Sequence, residues 1–272
     1  MELYLILLFS GLISGILTIL FGFGGGFIVV PLVYATIRLH ATADSLAYSM
    51  AFKSAVATSL LLMILNSGLA TYQQYRRGLI QKQYLFPIAY WIGAGAILGT
   101  FISLHTPPVL LKWAFISYLC MTILDCLVRQ LRKPKPHHSS TRLLNTKEQS
   151  LGGFLIGSVA SALGVGGSVM TVPLFRRCGL QMSTSVALAN PLSMPVALAG
   201  CFTFVMSQII QTQNLGEYFI GYFYYPALIC LIIGGVLGMK IAVLWSGILS
   251  DQIHEWGYIT LLIIVMVSIF IA

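Results

Sequence analysis

At 272 residues the chain is 58% hydrophobic and 8% charged, with a mean hydropathy of +0.90. Soluble domains carry about 25% charged residues, so this composition excludes a water-soluble globule. The formal net charge of +8 does not indicate nucleic acid, because the basic residues sit mostly between apolar runs, where they orient a membrane protein.

Apolar runs cover about residues 3–37, 46–73, 84–104, 109–128, 151–175, 184–208, 219–244 and 256–272. About 20 such residues span a bilayer core as a helix. The runs do not alternate polar and apolar residues, as barrel strands would. The expected fold is therefore an all-α polytopic membrane protein with the lipid bilayer as its solvent. The first run, which opens on MELYLILLFSGLISGILTIL, lacks a basic leader region and is read as a retained hydrophobic segment. It is too long for one simple span.

Its interior is the first unusual feature. Residues 19–32 read ILFGFGGGFIVVPL, with Gly22, Gly24, Gly25, Gly26 and Pro31 in an otherwise apolar stretch. Glycine and proline are poor helix formers, so the helix is expected to stop near Phe21 and restart around Phe27 or after Pro31. Non-helical backbone at membrane depth must be buried in protein or line a cavity. A restarting half-helix offers free N–H groups and a positive dipole end, which suit an anion. The plainer reading is close helix packing, which explains the Gly11/Gly15, Gly95/Gly99, Gly153/Gly157 and Gly234/Gly238 pairs well.

The second segment holds polar residues in an apolar helix. Lys53 is the one basic residue well inside it, and it either serves the solute or snorkels to the interface. Ser54 and Thr58 share a helix face, with Ser59 one step round. Asp125 and Arg129, at i and i+4, are expected to pair locally. Asp44, His105, Asp251, His254 and Glu255 are read as solvated. Cys120, Cys126, Cys178, Cys201 and Cys230 form no CxxC and are read as small packing residues.

Residues 129–150, RQLRKPKPHHSSTRLLNTKEQS, form a basic linker assigned to the cytoplasm. It separates residues 1–128 from 151–272, read as two homologous repeats of about four segments each. At the offset that carries Pro31 onto Pro173, the glycines 11, 15, 22, 24 and 25 fall on Gly153, Gly157, Gly164, Gly166 and Gly167. Gly26 falls on Ser168. The block PIAYWIGAGAILG at 87–99 lies likewise over PALICLIIGGVLG at 226–238. In the sixth segment Asn190, followed by Pro191, stands where the first half has Ser59, and Ser193 is near. Internal repeats of this kind mark many secondary transporters.

Two topologies fit. A single crossing of 151–175 places Arg176 and Arg177 outside and makes the halves parallel. A hairpin that enters and leaves on one side keeps both arginines with the other basic residues and inverts the halves. The hairpin version is preferred. No HExxH and no Walker A motif is present, so the chain is read as a non-enzyme with no cofactor and no metal.

The glycine cluster followed by V-P-L, repeated as GFGGGFIVVPL (22–32) and GVGGSVMTVPL (164–174), with AVATSL (55–60) and VALANPL (186–192), resembles the sulfite exporter TauE/SafE family. The resemblance implies a bacterial plasma-membrane protein that moves sulfur-containing anions such as sulfite or sulfoacetate. The expected binding residues are Gly22, Gly24, Gly25, Gly26, Gly164, Gly166, Gly167 and Ser168 through the backbone. Thr58, Ser59, Asn190, Ser193 and Lys53 would add side-chain contacts. Alternatives are another small solute or a non-transporting membrane scaffold. A coupling ion and a homo-oligomer are left open.

Overall fold

The computed structural model describes residues 2–131, 141–210, 214–245 and 251–271. In chain order the first half has α1 (Glu2–Phe21), α2 (Gly26–His40), a short α3 (Leu46–Ser49), α4 (Ala51–Arg76), α5 (Lys82–His105) and α6 (Pro108–Leu131). After a π-helical turn at Glu148–Gly152, the second half has α7 (Gly153–Leu163), α8 (Ser168–Arg177) and α9 (Met182–Ile210). A two-stranded antiparallel ribbon, β1 (Phe219–Ile220) and β2 (Phe223–Tyr224), precedes α10 (Tyr225–Trp245) and α11 (Asp251–Ile271). Residues 219–224, expected to be helical, are this ribbon. The linker residues Arg132, Lys133 and Lys135 lie outside the described residues.

Seven of the described helices are long and apolar enough to cross a membrane: α1, α4, α5, α6, α9, α10 and α11. Large apolar side chains such as Phe9, Tyr90, Met121, Phe202 and Phe270 are exposed on the bundle's outer surface. In water such a surface would aggregate; against lipid tails it is the solvated face. The chain is an all-α, multi-pass membrane protein.

The GxxxG pairs act as the packing reading expects. α1 lies against α10, with Gly11 and Gly15 facing Leu231 and Gly235, and Gly234 and Gly238 facing Leu8 and Leu12. α5 lies against α7, with Gly95 and Gly99 facing Phe154 and Ser158, and Gly153 and Gly157 facing Ile88 and Ile92. A Cβ at most of these glycines would run into partner backbone. In lipid, where apolar burial drives little, such close backbone contact is what holds helices together. Residue numbers rise together in both pairs, so each pair is parallel.

The two broken segments are hairpins. α2 returns along α4, Gly25 facing Asn66, Gly26 facing Ser59, and the Tyr34 ring 5.8 Å from the Phe52 ring at the start of α4. The α7–α8 pair enters and leaves at the bundle end where α5 begins. There the Arg142 N–H donates to Cys178 O at 3.1 Å, the Tyr84 hydroxyl donates to Arg142 O at 3.3 Å, and the Tyr84 and Phe175 rings lie 6.1 Å apart. Each half is thus a hairpin followed by three long helices, and the two hairpins enter from opposite ends.

α4, α6 and α10 finish at the end where the second hairpin opens. That end carries Arg76, Arg77, Lys82, Arg142, Lys147, Arg176, Arg177 and Lys240. The other end carries Arg38, Lys53 and Lys112 with Asp44 and Glu217. Such an asymmetry is what the positive-inside rule expects of a cytoplasmic end. Its ion pairs differ from those expected. Asp125 accepts from Arg177 at 2.6 Å, while the Arg129 side chain lies outside the described residues. Glu255, read as solvated, pairs with Arg176, and both are about a quarter exposed. His254, also read as solvated, is buried, its ring set against Leu20 O. Both corrections have one cause: the first turn of α11 packs against the C-terminal ends of α1 and α8 instead of facing water. The hydrogen bonds of Arg142 and of the Asn145 N–H hold the Glu148 carboxyl down at about 2.

In a background lacking the native cysteines, Arg77→Cys and Arg177→Cys are expected to react with an impermeant maleimide from one side of the membrane. Arg38→Cys is expected to react from the other side. Labelling of positions 77 and 177 from opposite sides would exclude the hairpin.

Candidate functional site

The backbone explains why these breaks need glycine. Gly22, Gly24 and Gly25 have φ of 75°, 60° and 85°, and Gly164 and Gly166 have 69° and 32°. L-residues with a Cβ rarely adopt such angles. The chain therefore turns at 22–25 and at 164–167 without a helical ladder. Helix resumes at Gly26, ahead of Pro31, and at Ser168, ahead of Pro173. The proline is the sixth residue of each half-helix, so it removes one N–H and the helix continues.

The two breaks meet. The Ser59 hydroxyl lies 2.7 Å from Gly164 O and 3.2 Å from Gly26 O, so one side chain of α4 ties both hairpin tips. A Cβ on Gly26 would sit 2.7 Å from Gly164 O, and one on Gly166 would sit 3.5 Å from Phe23 O. On α4 the breaks meet Ser59, Met63 and Asn66, which bracket the middle of that helix, and Val196 and Ser193, beside Gly167 and Gly166, lie midway along α9. The junction is thus at mid-depth. Both α2 and α8 begin there, so both bring the unpaired N–H groups of a first helical turn to the same place.

Polar side chains line the junction, and all are buried. Ser14 donates to Gly25 O at 3.0 Å, and Ser193 donates to Ala189 O at 3.1 Å beside Gly166. Asn66 Nδ2 and Ser67 Oγ face Gly25 and Gly24 and have no hydrogen-bond partner in the protein. The Ser168 and Thr171 hydroxyls on the first turn of α8 are buried and unpartnered as well. Buried polar atoms normally find partners, and a cluster left open at one point is a place for a ligand or water. Of the Lys, Arg, His, Asp and Glu side chains described, only Lys53 and His254 are buried, and neither is at the junction. The junction is neutral and offers dipoles and N–H or O–H donors.

Sequence-predicted residues divide into two groups. Gly24, Gly25, Gly26, Gly164, Gly166, Gly167, Ser168, Ser59 and Ser193 come together. Gly22 faces Val186 and Ala189 on α9. Asn190 sits nearer the basic end, donating to Thr18 O at 3.1 Å and lying 3.3 Å from Gln74 Oε1, with its own oxygen unpartnered. Thr58 points away from Ser59, donating to Ser54 O at 2.7 Å and accepting from the Tyr224 N–H at 2.9 Å. Successive helical residues stand about a third of a turn apart, so the pair cannot share a face. Lys53 donates to Leu104 O at 2.5 Å, one residue from the end of α5, where a cation meets the negative end of the helix dipole.

Sequence reasoning missed Ser14, Asn66, Ser67 and Thr171. Asn66 and Ser67 were legible as polar residues inside an apolar helix. It also missed the aromatic cluster beside the first break. The Phe23 ring lies 4.8 Å from Phe27 and 5.1 Å from Tyr258, Phe27 lies 6.3 Å from Phe115, and the Tyr258 hydroxyl donates to Val169 O at 3.1 Å. Among the described residues no three His, Cys, Asp or Glu side chains group to hold a metal ion.

A family model described as Sulfite exporter TauE/SafE matches residues 7–269. The chain is 25% identical to a protein of Haemophilus influenzae named "Probable membrane transporter protein", with 98% of each chain covered. It is 22% identical to a protein of Methanocaldococcus jannaschii with the same description, covering 92% of this chain and 86% of that one. No solved structure matches the chain.

The junction geometry separates two glycines that sequence treats alike. Gly25→Ala is expected to lower the melting temperature of the detergent-purified protein by several degrees, because φ is positive and Asn66 and Ser14 crowd the new Cβ. Gly167→Ala, whose nearest neighbour would be an Ile156 methyl at 3.3 Å, is expected to stay within a degree or two of wild type, as order-of-magnitude values.

Proposed function

The chain belongs to the sulfite exporter TauE/SafE family, and we propose that it carries a small sulfur-containing anion, such as sulfite or sulfoacetate, outward across a bacterial plasma membrane. One observation supports this reading above others. Two half-helix N-termini and a set of unpartnered hydroxyl and amide groups converge at mid-depth, with no carboxylate beside them. Backbone N–H groups and helix N-termini favour negative charge. The absence of a fixed cation there keeps the anion from being held too tightly to leave.

In this reading, the N–H groups around Gly24–Gly26 and Gly166–Ser168, with Ser59, Ser168 and Ser193, receive the anion. The positive-φ glycines let it approach the backbone closely. Access alternates as the two hairpin-containing halves rock about the junction, the usual device where hairpins of opposite sense meet at the midplane. No group described at the junction is placed for covalent chemistry, which favours a carrier over an enzyme.

The test is sulfite flux into proteoliposomes that hold the purified protein, with sulfate and chloride as competitors. Saturable flux is expected. Ser168→Ala removes a hydroxyl that has no protein partner, so the fold should persist. The apparent KM should rise about tenfold or more, the loss of one hydrogen bond to a charged ligand. No flux from folded protein, or an unchanged KM in both Ser168→Ala and Ser59→Ala, would overturn the proposal.

A further inference from the structure

At the end opposite the basic surface, a cavity of about 590 Å³ opens between α2, α3, the start of α4, the start of α6 and the end of α11. Two cations line it. The Arg38 guanidinium donates to the Tyr34 hydroxyl at 3.0 Å and lies 4.1 Å from the centre of the Tyr48 ring. The Lys112 ammonium lies 5.8 Å from the centre of the Tyr34 ring. No Asp or Glu lines the cavity among the described residues, and the contacts of both cations are with rings and a phenol. Phe52, Val109, Trp113, Ile116 and Phe270 are among the apolar residues of the remaining wall.

We infer that this cavity binds an organic anion, one sulfonate or carboxylate group joined to an apolar body, as the outer site of the transport path, from which an exported anion leaves. The role in transport rests on the function proposed above; the binding does not. Three physical points carry it. A guanidinium has five N–H donors, and here one meets a protein acceptor, so the fork is open to an acid group. The Tyr48 ring against its face holds it in place. The volume is many times the roughly 30 Å³ of a water molecule, and a bare oxyanion would fill little of it. Cavities of this size with mostly apolar walls and a few polar anchors suit organic ligands.

The placement fits a path. Arg38 and Tyr34 lie on α2, the helix whose first residue, Gly26, stands at the junction of the two breaks. Ile116, in the cavity wall, follows Phe115, whose ring touches Phe27. The aromatic cluster thus reaches from the junction to the residue next to the cavity wall.

An acid group on an apolar body describes both a free organic anion and an anionic phospholipid headgroup, so the experiment separates the two. Calorimetric titration of the whole protein in zwitterionic-lipid nanodiscs would use benzenesulfonate and inorganic sulfate as probes. Saturable benzenesulfonate binding is expected, about tenfold or more tighter than sulfate. Arg38→Gln and Lys112→Gln, with unchanged melting temperatures, should each weaken it about tenfold. Phosphatidylglycerol in the nanodisc should leave it unchanged. Absence of saturable binding, sulfate binding as tightly, or indifference to both variants would overturn the inference. Loss of binding with phosphatidylglycerol would assign the cavity to headgroups and overturn it too. Benzenesulfonate binding without sulfite flux would sink the transport reading and support this site; sulfite flux without benzenesulfonate binding would sink this site alone.

Discussion

A peptide group that leaves its helix inside a bilayer must find a partner in the protein, because lipid offers none and each unmet group costs several kcal/mol. Two such departures occur here, and each serves as cover for the other. The tips of the α1–α2 and α7–α8 hairpins lie in contact, and the Ser59 hydroxyl reaches a carbonyl from each. Ser14 meets the carbonyl of Gly25 in the same way. Much of the remaining architecture follows from this need. α4 and α9 supply the walls at mid-depth. The GxxxG contacts of α1 with α10 and of α5 with α7 clamp the outer faces of the hairpins. Gly24, Gly25, Gly164 and Gly166 adopt backbone angles that no larger residue fits comfortably.

The charge pattern follows the same logic. A fixed ion at the junction would be costly to bury and would hold a counter-ion too firmly to release. The described cations instead lie toward the ends of the bundle. Lys53 shows how strictly this holds. It is buried, within the span of α4, yet its ammonium reaches Leu104 O and so lies at the C-terminal end of α5. The basic end of the bundle carries Arg142–Glu148, Arg176–Glu255 and Arg177–Asp125, all pairs that tie loops or hairpin ends. The cations of the opposite cavity are held by aromatic rings instead.

What could be read from sequence was whatever leaves a local trace. Polytopic helical architecture follows from the apolar runs. The helix stop at Phe21 and the restart before Pro31 follow from glycine density, and the choice of a hairpin for 151–175 follows from Arg176 and Arg177. The packing role of the paired glycines was visible in their spacing. What was lost depends on long-range geometry. The first turn of α11 looks like a solvated segment end until its His254 and Glu255 are seen against α1 and α8. Spacing alone puts Thr58 on another face than Ser59, but that it meets the Tyr224 N–H was not legible. The outer cavity brings together residues near 34–38, 48–52, 108–116 and 270, which no spacing rule connects.

α11 is the element that couples these parts. Its Tyr258 stacks on Phe23 of the first break and donates to Val169 O on α8, so one side chain touches both hairpins. A turn earlier, His254 meets Leu20 O at the end of α1 and Glu255 meets Arg176 at the end of α8. Its far end reaches the outer cavity, where the Phe270 ring lies 6.3 Å from Trp113 on α6. The aromatic cluster reaches from the junction toward the cavity, and its members come from the first break, from α2, from α6 and from α11. A movement that parted Phe27 from Phe115 would displace α6 relative to α2. Because α11 packs on α6 and grips both hairpins, it cannot stay fixed while those two move apart. If the halves rock as proposed, opening of the aromatic cluster would therefore carry α11 with it.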